Sequence, residues 1–331
     1  MPEMKGTLVI SLDFELYWGL RDLYSMDEYQ AKWLRERETI PHILDLFRQA
    51  GVHATWATVG LLFFEHHAEL LAGLPALRPT YKDCRLSPYE DLDERFTGLG
   101  EQEAPHSYAP SLIKQICATP GQAVGSHTFS HYYCREPGQT KEQFYSDLQA
   151  AQQVAGQRGI ALRSLVLPRN QWQSSYMDGL GELGFLSYRG NPDHPLYKQG
   201  YSTSDSPWRR VLRLADSYCN LTGHHTYDFE TLDSTVPVNL PASFFFRTPP
   251  GLLRSLEPLR LRRIKQSMTH AARRGEVYHL WLHPYNAVGS GLKSLEALMV
   301  HYSRLSAKYG MTSLNMEELA DLVLGEAESY Q

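Results

Sequence analysis

The sequence predicts an α/β fold built as a single (β/α) barrel. Three observations support this prediction: continuous apolar segments recur along the chain, segments with helical spacing stand between them, and acidic, imidazole or guanidinium side chains follow four of the apolar segments. The length of 331 residues is compatible with one large domain or two ordinary ones. Because the alternation continues along the chain with no sign of a second core, we expect one domain over residues 1–331.

The predicted elements follow one another in a regular order. Residues 7–12 form a nearly continuous apolar run, which is typical of a parallel strand buried on both faces. Residues 36–50 have apolar side chains at helical spacing and stop before Gly51, a typical helix C-cap. The segment 52–59 returns to strand character and completes a strand–helix–strand unit. The later predicted elements are a helix over 113–118, a strand over 122–126, a helix over 141–157, a strand over 162–167, a short helix over 177–183, a strand over 277–282 and a helix over 292–309.

Two long stretches interrupt the alternation, 75–110 and 191–248. Both are rich in Pro, Tyr, Asp and Ser and have weak periodicity. Loops of this length inside a compact domain are usually lids or binding loops. We therefore expect both stretches to be loop insertions on the substrate side of the barrel.

The composition excludes several classes of protein. Hydrophobic residues at 42% and charged residues at 21% are typical of a folded globular chain. The net charge of −5 argues against a general nucleic-acid binder. The four cysteines are widely separated and form no Cys-x-x-Cys pair, which argues against a disulfide framework or a zinc knuckle. No apolar run is long enough to span a membrane and no export segment is evident, so we expect a cytoplasmic protein.

A basic stretch over 247–274 contains eight arginines and lysines and one acid, Glu257. Such a stretch could bind a diphosphate or lie against an anionic membrane, although charge runs are more often solvated helix faces. Peripheral membrane contact therefore stays open, and the sequence does not define an oligomeric state.

Two acids stand at the end of the first predicted strand. Asp13 and Glu15 flank Phe14, and the period-two alternation of a strand sends both carboxylates to one side. Ligands of α/β folds bind at the carboxyl ends of parallel strands, so this position favours a functional site. An Asp-x-Glu pair that only caps a helix or forms salt bridges is the alternative.

Two histidines follow the predicted strand 122–126. His127 and His131 are four residues apart, which would place both imidazoles on one helical face, where they could chelate a single metal ion. Two unrelated histidines are the alternative, since this spacing is common by chance.

Two further strand ends carry polar side chains. His283 follows the strand 277–282, and it is a better candidate for catalysis than His279, which we expect to be structural. Arg169 follows the strand 162–167 and would offer a guanidinium to the carboxylates.

These segments in this order resemble the NodB-like polysaccharide deacetylases, carbohydrate esterase family four. The resemblance extends from the first strand to the last histidine. The segments are Ser-Leu-Asp-Phe-Glu over 11–15, Ala-Thr-Trp-Ala-Thr over 54–58, Gly-Ser-His-Thr-Phe-Ser-His over 125–131, Leu-Pro-Arg-Asn over 167–170 and Leu-Trp-Leu-His over 280–283. Segments 238–244, 278–286 and 310–316 further resemble cytoplasmic deacetylase-like proteins that are encoded among capsule and exopolysaccharide genes.

The resemblance implies a distorted (β/α) barrel and a divalent metal, most often Zn²⁺. It implies removal of an N-acetyl group from an amino sugar. By the same resemblance, Asp13 matches the catalytic base, His283 the general acid and Arg169 the arginine that orients the base. His127 and His131 match metal ligands.

Two features depart from the common family pattern. Phe14 replaces the second of two adjacent aspartates, so Glu15 is the expected third metal ligand and Asp13 the alternative. Arg169 follows its proline, whereas many members place the arginine before it.

We therefore expect a cytoplasmic, metal-dependent deacetylase that acts on an N-acylated sugar precursor, nucleotide-linked, lipid-linked or oligosaccharide, in surface polysaccharide or glycoconjugate synthesis. Two alternatives remain: a non-catalytic carbohydrate-binding relative on the same barrel, and a metal-dependent deformylase or other amidohydrolase.

Overall fold

A curled sheet of parallel strands forms the centre of the molecule. The computed structural model describes residues 5–90, 92–198, 206–248 and 251–325. Within these residues the strand order is β6-β5-β4-β3-β2-β1-β8-β7, and β9 pairs with β1. The strands are β1 (Thr7–Phe14), β2 (Ala54–Thr58), β3 (Gln122–Ser126), β4 (Ser164–Leu165), β5 (Ser187–Gly190), β6 (Val238–Pro241), β7 (Phe244–Phe245), β8 (Val277–Leu282) and β9 (Thr312–Leu314).

Helices cover the sheet. In chain order they are α1 (Met26–Ala50), α2 (His67–Ala72), α3 (Leu92–Phe96), α4 (Pro110–Ala118), α5 (Lys141–Gly156), α6 (Ser174–Met177), α7 (Pro207–Asp216), α8 (Glu257–Arg274), α9 (Ser290–Tyr309) and α10 (Met316–Leu324). None of the helices in the described part of the chain is long and apolar enough to cross a membrane. The curled parallel sheet with helices confirms the predicted (β/α)-barrel class.

The first strand lies in the middle of the sheet. All eight residues of β1 are buried, as its continuous apolar pattern predicts. Its carboxyl end pairs with β2 on one side and with β8 on the other, with Leu12 opposite both Trp56 and Leu282. Phe14 packs edge-on against Trp56, with 6.3 Å between the ring centroids. These contacts hold the carboxyl end of β1, where Asp13 lies and which Glu15 follows, in the middle of the sheet.

Helix α1 begins earlier than its sequence pattern indicates. The predicted helix covers 36–50, whereas α1 begins at Met26 after a capping box formed by Ser25 and Glu28. It ends as predicted at Gly51, whose φ of 63° is the left-handed conformation that glycine adopts without strain. The first turns of α1 carry mainly polar residues, so apolar spacing alone reveals only the later part of the helix.

The two predicted insertions contain regular structure. The stretch 75–110 contains the short helix α3, and Asp91 within it lies outside the described residues. The stretch 191–248 contains α7 and two strands of the central sheet, β6 and β7. It is therefore not a loop throughout, and its residues 199–205 lie outside the described part. Strands of four and two residues are too short to produce a recognisable alternation.

The remaining predictions differ mainly in length. The strands over 122–126 and 277–282 are found with those bounds. The predicted strand over 162–167 shrinks to the two residues of β4, and the predicted helix over 177–183 is replaced by α6, which ends at Met177. The hydrophobic periodicity is weakest at the ends of short elements, which explains why their predicted and observed bounds differ.

Candidate active site

The carboxyl edge of the sheet gathers side chains from four strands. Asp13 lies on β1, and Glu15 directly follows that strand. Arg189 lies on β5, whereas His127 follows β3 and His283 follows β8. All of these side chains are buried except that of His283, which is 14% exposed. The strand order places β1 between β2 and β8, so residues distant in sequence meet at this edge.

Glu15, His127 and His131 form a compact cluster of metal-binding atoms. Oε2 of Glu15 lies 3.1 Å from Nε2 of His131 and 3.4 Å from Nε2 of His127. Among the described residues these three form a group in which all the ligand atoms lie within 4.8 Å of one another. Ligands held at about 2.0–2.1 Å by a tetrahedral Zn²⁺ lie about 3.3 Å apart. The spacing of the three atoms fits such an ion.

The far nitrogen of each histidine is engaged elsewhere. Nδ1 of His127 donates to the backbone carbonyl of Val166 at 2.8 Å, so the nitrogen that faces Glu15 and could bind a metal ion is Nε2. Nδ1 of His131 shares a hydrogen bond of 3.0 Å with the hydroxyl of Tyr133. Metal-binding histidines usually have such a partner on the second nitrogen, because it fixes the ring orientation. The donor set therefore fits a divalent metal in its chemistry as well as in its spacing.

The backbone that carries the two histidines is a loop. Thr128 and His131 have φ angles of 63° and 59°, so the segment does not continue as a helix and the predicted common helical face is wrong. Asp147 of α5 holds this loop from behind. Its carboxylate accepts the backbone N–H of Phe129 at 2.6 Å and that of Ser130 at 3.2 Å. The two imidazoles meet because the loop turns back, with 5.0 Å between their ring centroids.

Glu15 fits into a space left by a glycine. A Cβ atom at Gly19 would lie only 2.0 Å from the carboxyl carbon of Glu15. Burial of Glu15 opposes its ionisation, yet His283, His127 and His131 together hold the pKa of this carboxyl well below its usual value. Glu15 is therefore a carboxylate surrounded by imidazoles.

Asp13 is held by an arginine of β5. Nη1 of Arg189 donates to Oδ1 of Asp13 at 2.6 Å, and Nη2 donates to Oδ2 at 2.8 Å. Burial alone would raise the pKa of Asp13, but the guanidinium, aided by His127 and His283, brings it below its usual value. Both oxygens of Asp13 are thus engaged by Arg189, whereas those of Glu15 face the histidines.

Arg169 does not contact Asp13, which corrects the sequence prediction. Its Nη2 donates to the carboxylate of Asp22, and its guanidinium lies 4.3 Å from the ring centroid of Tyr133. The left-handed backbone of Arg169, with φ of 56°, directs the side chain away from the carboxyl end of β1. Arg169 therefore supports Tyr133, the partner of His131.

His283 stands at the open side of the cluster. Its Nε2 lies 3.5 Å from Oε1 of Glu15 and 3.8 Å from Oδ2 of Asp13. Tyr285 stacks on the imidazole with 4.6 Å between ring centroids, and Phe245 contacts it edge-on at 5.6 Å. The aromatic contacts fix the ring while its edge stays accessible. His283 thus combines proximity to both carboxylates with access to solvent.

His279 belongs to the support of the cluster. It is completely buried, and its Nε2 shares a hydrogen bond of 2.8 Å with the hydroxyl of Ser11. Burial lowers the pKa of His279 to about 3, so this ring is neutral. The hydroxyl of Ser11 also accepts from Nη1 of Arg189 at 3.0 Å. His279 therefore stabilises the arginine rather than facing the accessible edge.

Arg189 is the residue that the sequence prediction missed. It lies on a four-residue strand, Ser-Tyr-Arg-Gly, which has no hydrophobic alternation to mark it. The signal that could have revealed it is a single arginine inside a short buried segment, because a buried guanidinium requires a carboxylate partner. Asn170 also contacts Arg189: its side-chain oxygen accepts a hydrogen bond from Nη2 of Arg189 at 2.8 Å.

The chain resembles known proteins in part of its sequence and over its whole fold. Residues 26–186, slightly less than half of the chain, match the family model of polysaccharide deacetylases. The matched region includes His127 and His131 but not Asp13, Glu15 or His283. A search of curated proteins finds no match to this chain.

Solved structures share the fold at low sequence identity. A candidate polysaccharide deacetylase from Mycobacterium smegmatis aligns with a TM-score of 0.58 at 14% identity, over 98% of this chain and 93% of that one. A candidate polysaccharide deacetylase from Pseudomonas aeruginosa PAO1 gives 0.52 at 10% identity, over 98% and 92%. The Puue allantoinase gives 0.53 at 10% identity, over 98% and 91%. These similarities establish the curled (β/α)-barrel fold.

Proposed function

We propose that this chain is a polysaccharide-deacetylase relative that acts as a metal-dependent hydrolase and removes an N-acetyl group from an amino sugar. The observation that carries the proposal is the arrangement at the carboxyl edge of the sheet. A buried Glu15–His127–His131 cluster lies beside a carboxylate gripped by Arg189 and an accessible imidazole, His283. The family-model match over residues 26–186 supports a carbohydrate deacetylase.

The three ligand atoms would hold a divalent metal, for which Zn²⁺ is the expected ion. Two imidazole nitrogens and one carboxylate oxygen form a common ligand set of catalytic zinc. A metal bound there supplies a Lewis acid that polarises the acyl carbonyl and acidifies water.

Asp13 would act as the general base. The contacts with Arg189 hold its carboxylate ionised and fix both oxygens in space. It would accept a proton from the water that adds to the acyl carbon. Because both oxygens already accept hydrogen bonds, the orientation of the carboxylate is set before the substrate binds.

His283 would act as the general acid. The C–N bond of the amide breaks, the nitrogen takes the proton of the imidazolium, and acetate and the free amine leave. Amide nitrogen is a poor leaving group, so a positioned proton donor is needed at this step. The distances of 3.5 and 3.8 Å from Nε2 of His283 to Glu15 and Asp13 support this role, because they place the imidazole directly beside the proposed base and the proposed metal ligand.

The sugar substrate is proposed as well. An N-acylated sugar precursor, acted on in the cytoplasm during surface polysaccharide synthesis, stays a prediction. It would be wrong if the purified protein deacetylated only extracellular polymer.

Metal content measured together with acetate release tests the proposal. We expect about one zinc-class ion per wild-type chain and its loss in both His127→Ala and Glu15→Ala. The exposed residues His42 and Glu142 provide matched controls, and His42→Ala and Glu142→Ala should keep the metal. Acetate should be released from N-acetylglucosamine oligomers by the wild type and by the controls only. A wild-type protein without metal after reconstitution with Zn²⁺ would overturn the proposal.

A panel of acyl substrates separates the alternatives. A non-catalytic relative would bind sugar and release no acetate. A different amidohydrolase would act on an N-formyl sugar or a cyclic imide and leave N-acetyl sugars intact. Faster release of acetate than of formate is the result that we expect.

A further inference from the structure

A cavity of about 250 Å³ opens beside the candidate active site. It lies between helix α7 and the strands β7 and β8, and its wall includes Trp281, Phe245 and Asn170. Small-molecule sites usually have volumes of roughly 300–1,000 Å³. The cavity is thus of a size for one substituent of a substrate rather than for an oligosaccharide.

The wall of this cavity is continuous with the candidate catalytic residues. Phe245 stacks on Trp281 with 4.0 Å between ring centroids and contacts His283 at 5.6 Å. On its other face, Trp281 lies 4.4 Å from the guanidinium of Arg189, which holds Asp13. The cavity is therefore close enough to His283 for one substrate molecule to place its amide at the imidazole and a second group in the cavity.

Arginines converge on the cavity. Arg210 and Arg213 line it from α7, and Arg247 lines it from the segment after β7. Arg213 is oriented by a hydrogen bond from its Nε to the carbonyl of Leu196 at 2.9 Å. None of the described residues that line the cavity is acidic. The lining is therefore cationic although the chain as a whole carries a net charge of −5.

Positive charge continues around the other side of His283. A second cavity is lined by Tyr285 and Phe245, which both contact His283, and it contains Lys32, Arg35 and Arg254. Arg247 lines this cavity too, so it stands between the two. Again, the described residues of its lining include no acid. An approaching anion is thus attracted from both sides of the imidazole.

We propose that the cavity between α7 and β7 binds a phosphoryl group carried by the sugar substrate. Guanidinium groups match phosphate oxygens with paired N–H donors, and several of them can share the oxygens of one phosphoryl group. Phe245, which lines the cavity and also contacts His283, supplies an apolar wall for the sugar ring. This inference rests on the proposed function, since it names the substrate as a phosphorylated N-acyl amino sugar.

Binding of pyrophosphate, measured by titration calorimetry on the full-length protein, tests the cavity without requiring turnover. We expect Arg247→Ala and Arg210→Ala each to weaken binding by about tenfold or more, because a charge-assisted contact is lost. Arg304→Ala, which removes an exposed arginine outside both cavities, should bind like the wild type. If a metal ion at the Glu15–His127–His131 cluster held the pyrophosphate, His127→Ala would abolish pyrophosphate binding instead. Equal binding by the wild type and both cavity variants, or loss only in His127→Ala, would overturn the proposal.

A comparison of two substrates connects the cavity to catalysis. The kcat/KM for N-acetylglucosamine 1-phosphate should exceed that for N-acetylglucosamine, and Arg247→Ala should reduce only the first, by about tenfold or more. Arg247→Lys should recover part of the loss. If neither sugar releases acetate while Arg247→Ala still weakens pyrophosphate binding, the proposed function fails and the anion site stands. If both sugars are deacetylated equally by the wild type and by Arg247→Ala, the anion site fails and the proposed function stands.

Discussion

Arg189 contacts Asp13 through two parallel hydrogen bonds of 2.6 and 2.8 Å, and both side chains are buried. The same guanidinium donates to the hydroxyl of Ser11 and to the side chain of Asn170. A buried ion pair of this kind is costly to break from one side, because the remaining charge would have no partner. The geometry gives Asp13 a fixed orientation and keeps its carboxylate ionised.

Replacing this arginine should therefore damage catalysis more than replacing Arg169. We expect Arg189→Lys to lower kcat/KM by about 100-fold, because lysine cannot make the two-point contact. Arg169→Lys should lower it by less than about tenfold, since Arg169 acts only through Tyr133. Steady-state kinetics on N-acetylglucosamine oligomers would measure both. Equal losses would contradict the assignment of Arg189 as the partner of the base.

The role of His283 predicts a dependence on the leaving group. His283→Ala should lower kcat for N-acetyl sugars by about 10²–10⁴-fold, because the departing amine loses its proton donor. Hydrolysis of p-nitrophenyl acetate should fall much less, since p-nitrophenolate leaves without protonation. Asp13→Asn should reduce both reactions. Equal losses for both substrates in His283→Ala would show that this histidine does not act as the acid.

Asp147 should be important for both stability and metal binding. Asp147→Ala leaves the buried N–H groups of Phe129 and Ser130 without their acceptor. We expect a loss of about 2–5 kcal/mol in the free energy of unfolding, together with weaker metal binding, because the loop that carries His127 and His131 loses its anchor. Denaturant unfolding and metal titration would measure the two effects. Glu142→Ala, on the exposed face of the same helix, should change the free energy of unfolding by less than about 0.5 kcal/mol.

A histidine far from the site should give a pH-dependent contribution to stability. Nδ1 of His53 donates a hydrogen bond to the carboxylate of Glu318, and this bond raises the pKa of His53 above 6.5, although partial burial of the ring opposes the shift. The pair therefore stabilises the fold fully below pH 6.5, and the contribution is lost as the pH rises through the higher pKa of the folded state. Between pH 6 and 9 the Tm of the wild type should fall by about 1–2 °C more than that of His53→Gln, as expected for a pair in which His53 is partly exposed to solvent. Glu318→Gln should behave like His53→Gln, and a parallel pH dependence of the wild type and both variants would disprove the linkage.

The sequence predicts the parts of the molecule that have long or periodic patterns. Strands β1, β3 and β8 are continuous apolar runs, and the polar residues at their ends identify Asp13, Glu15, His127 and His283 as candidates. Glu15 and His127 meet because parallel strands present their carboxyl ends at one edge of the sheet. This general rule predicts their proximity from the sequence. These features depend on patterns that a single sequence contains.

Other features depend on contacts that no sequence spacing encodes. The position of Arg169 after a strand predicts a guanidinium near the carboxylates, and the family resemblance implies that it orients the base. The backbone at φ of 56° instead turns Arg169 towards Asp22. Arg189 occupies a strand of four residues, so no periodicity marks it. The His127–His131 spacing resembles that of a helix, but left-handed residues in the loop produce the same proximity by a different path. Short strands and positive φ angles are decided by tertiary packing.

The neighbouring positions of β1 and β8 have a consequence for the biosynthesis of the protein. Ser11 and His279 are in contact although 268 residues separate them, and His283 follows β8 directly. A growing polypeptide on the ribosome therefore contains the proposed base, Asp13, and the proposed ligand carboxylate, Glu15, long before it acquires the proposed proton donor, His283. Closing such a long loop is slow compared with forming local helices. The proposed hydrolytic activity should consequently appear late and all at once, and a fragment that ends before β8 should release no acetate from N-acetyl amino sugars.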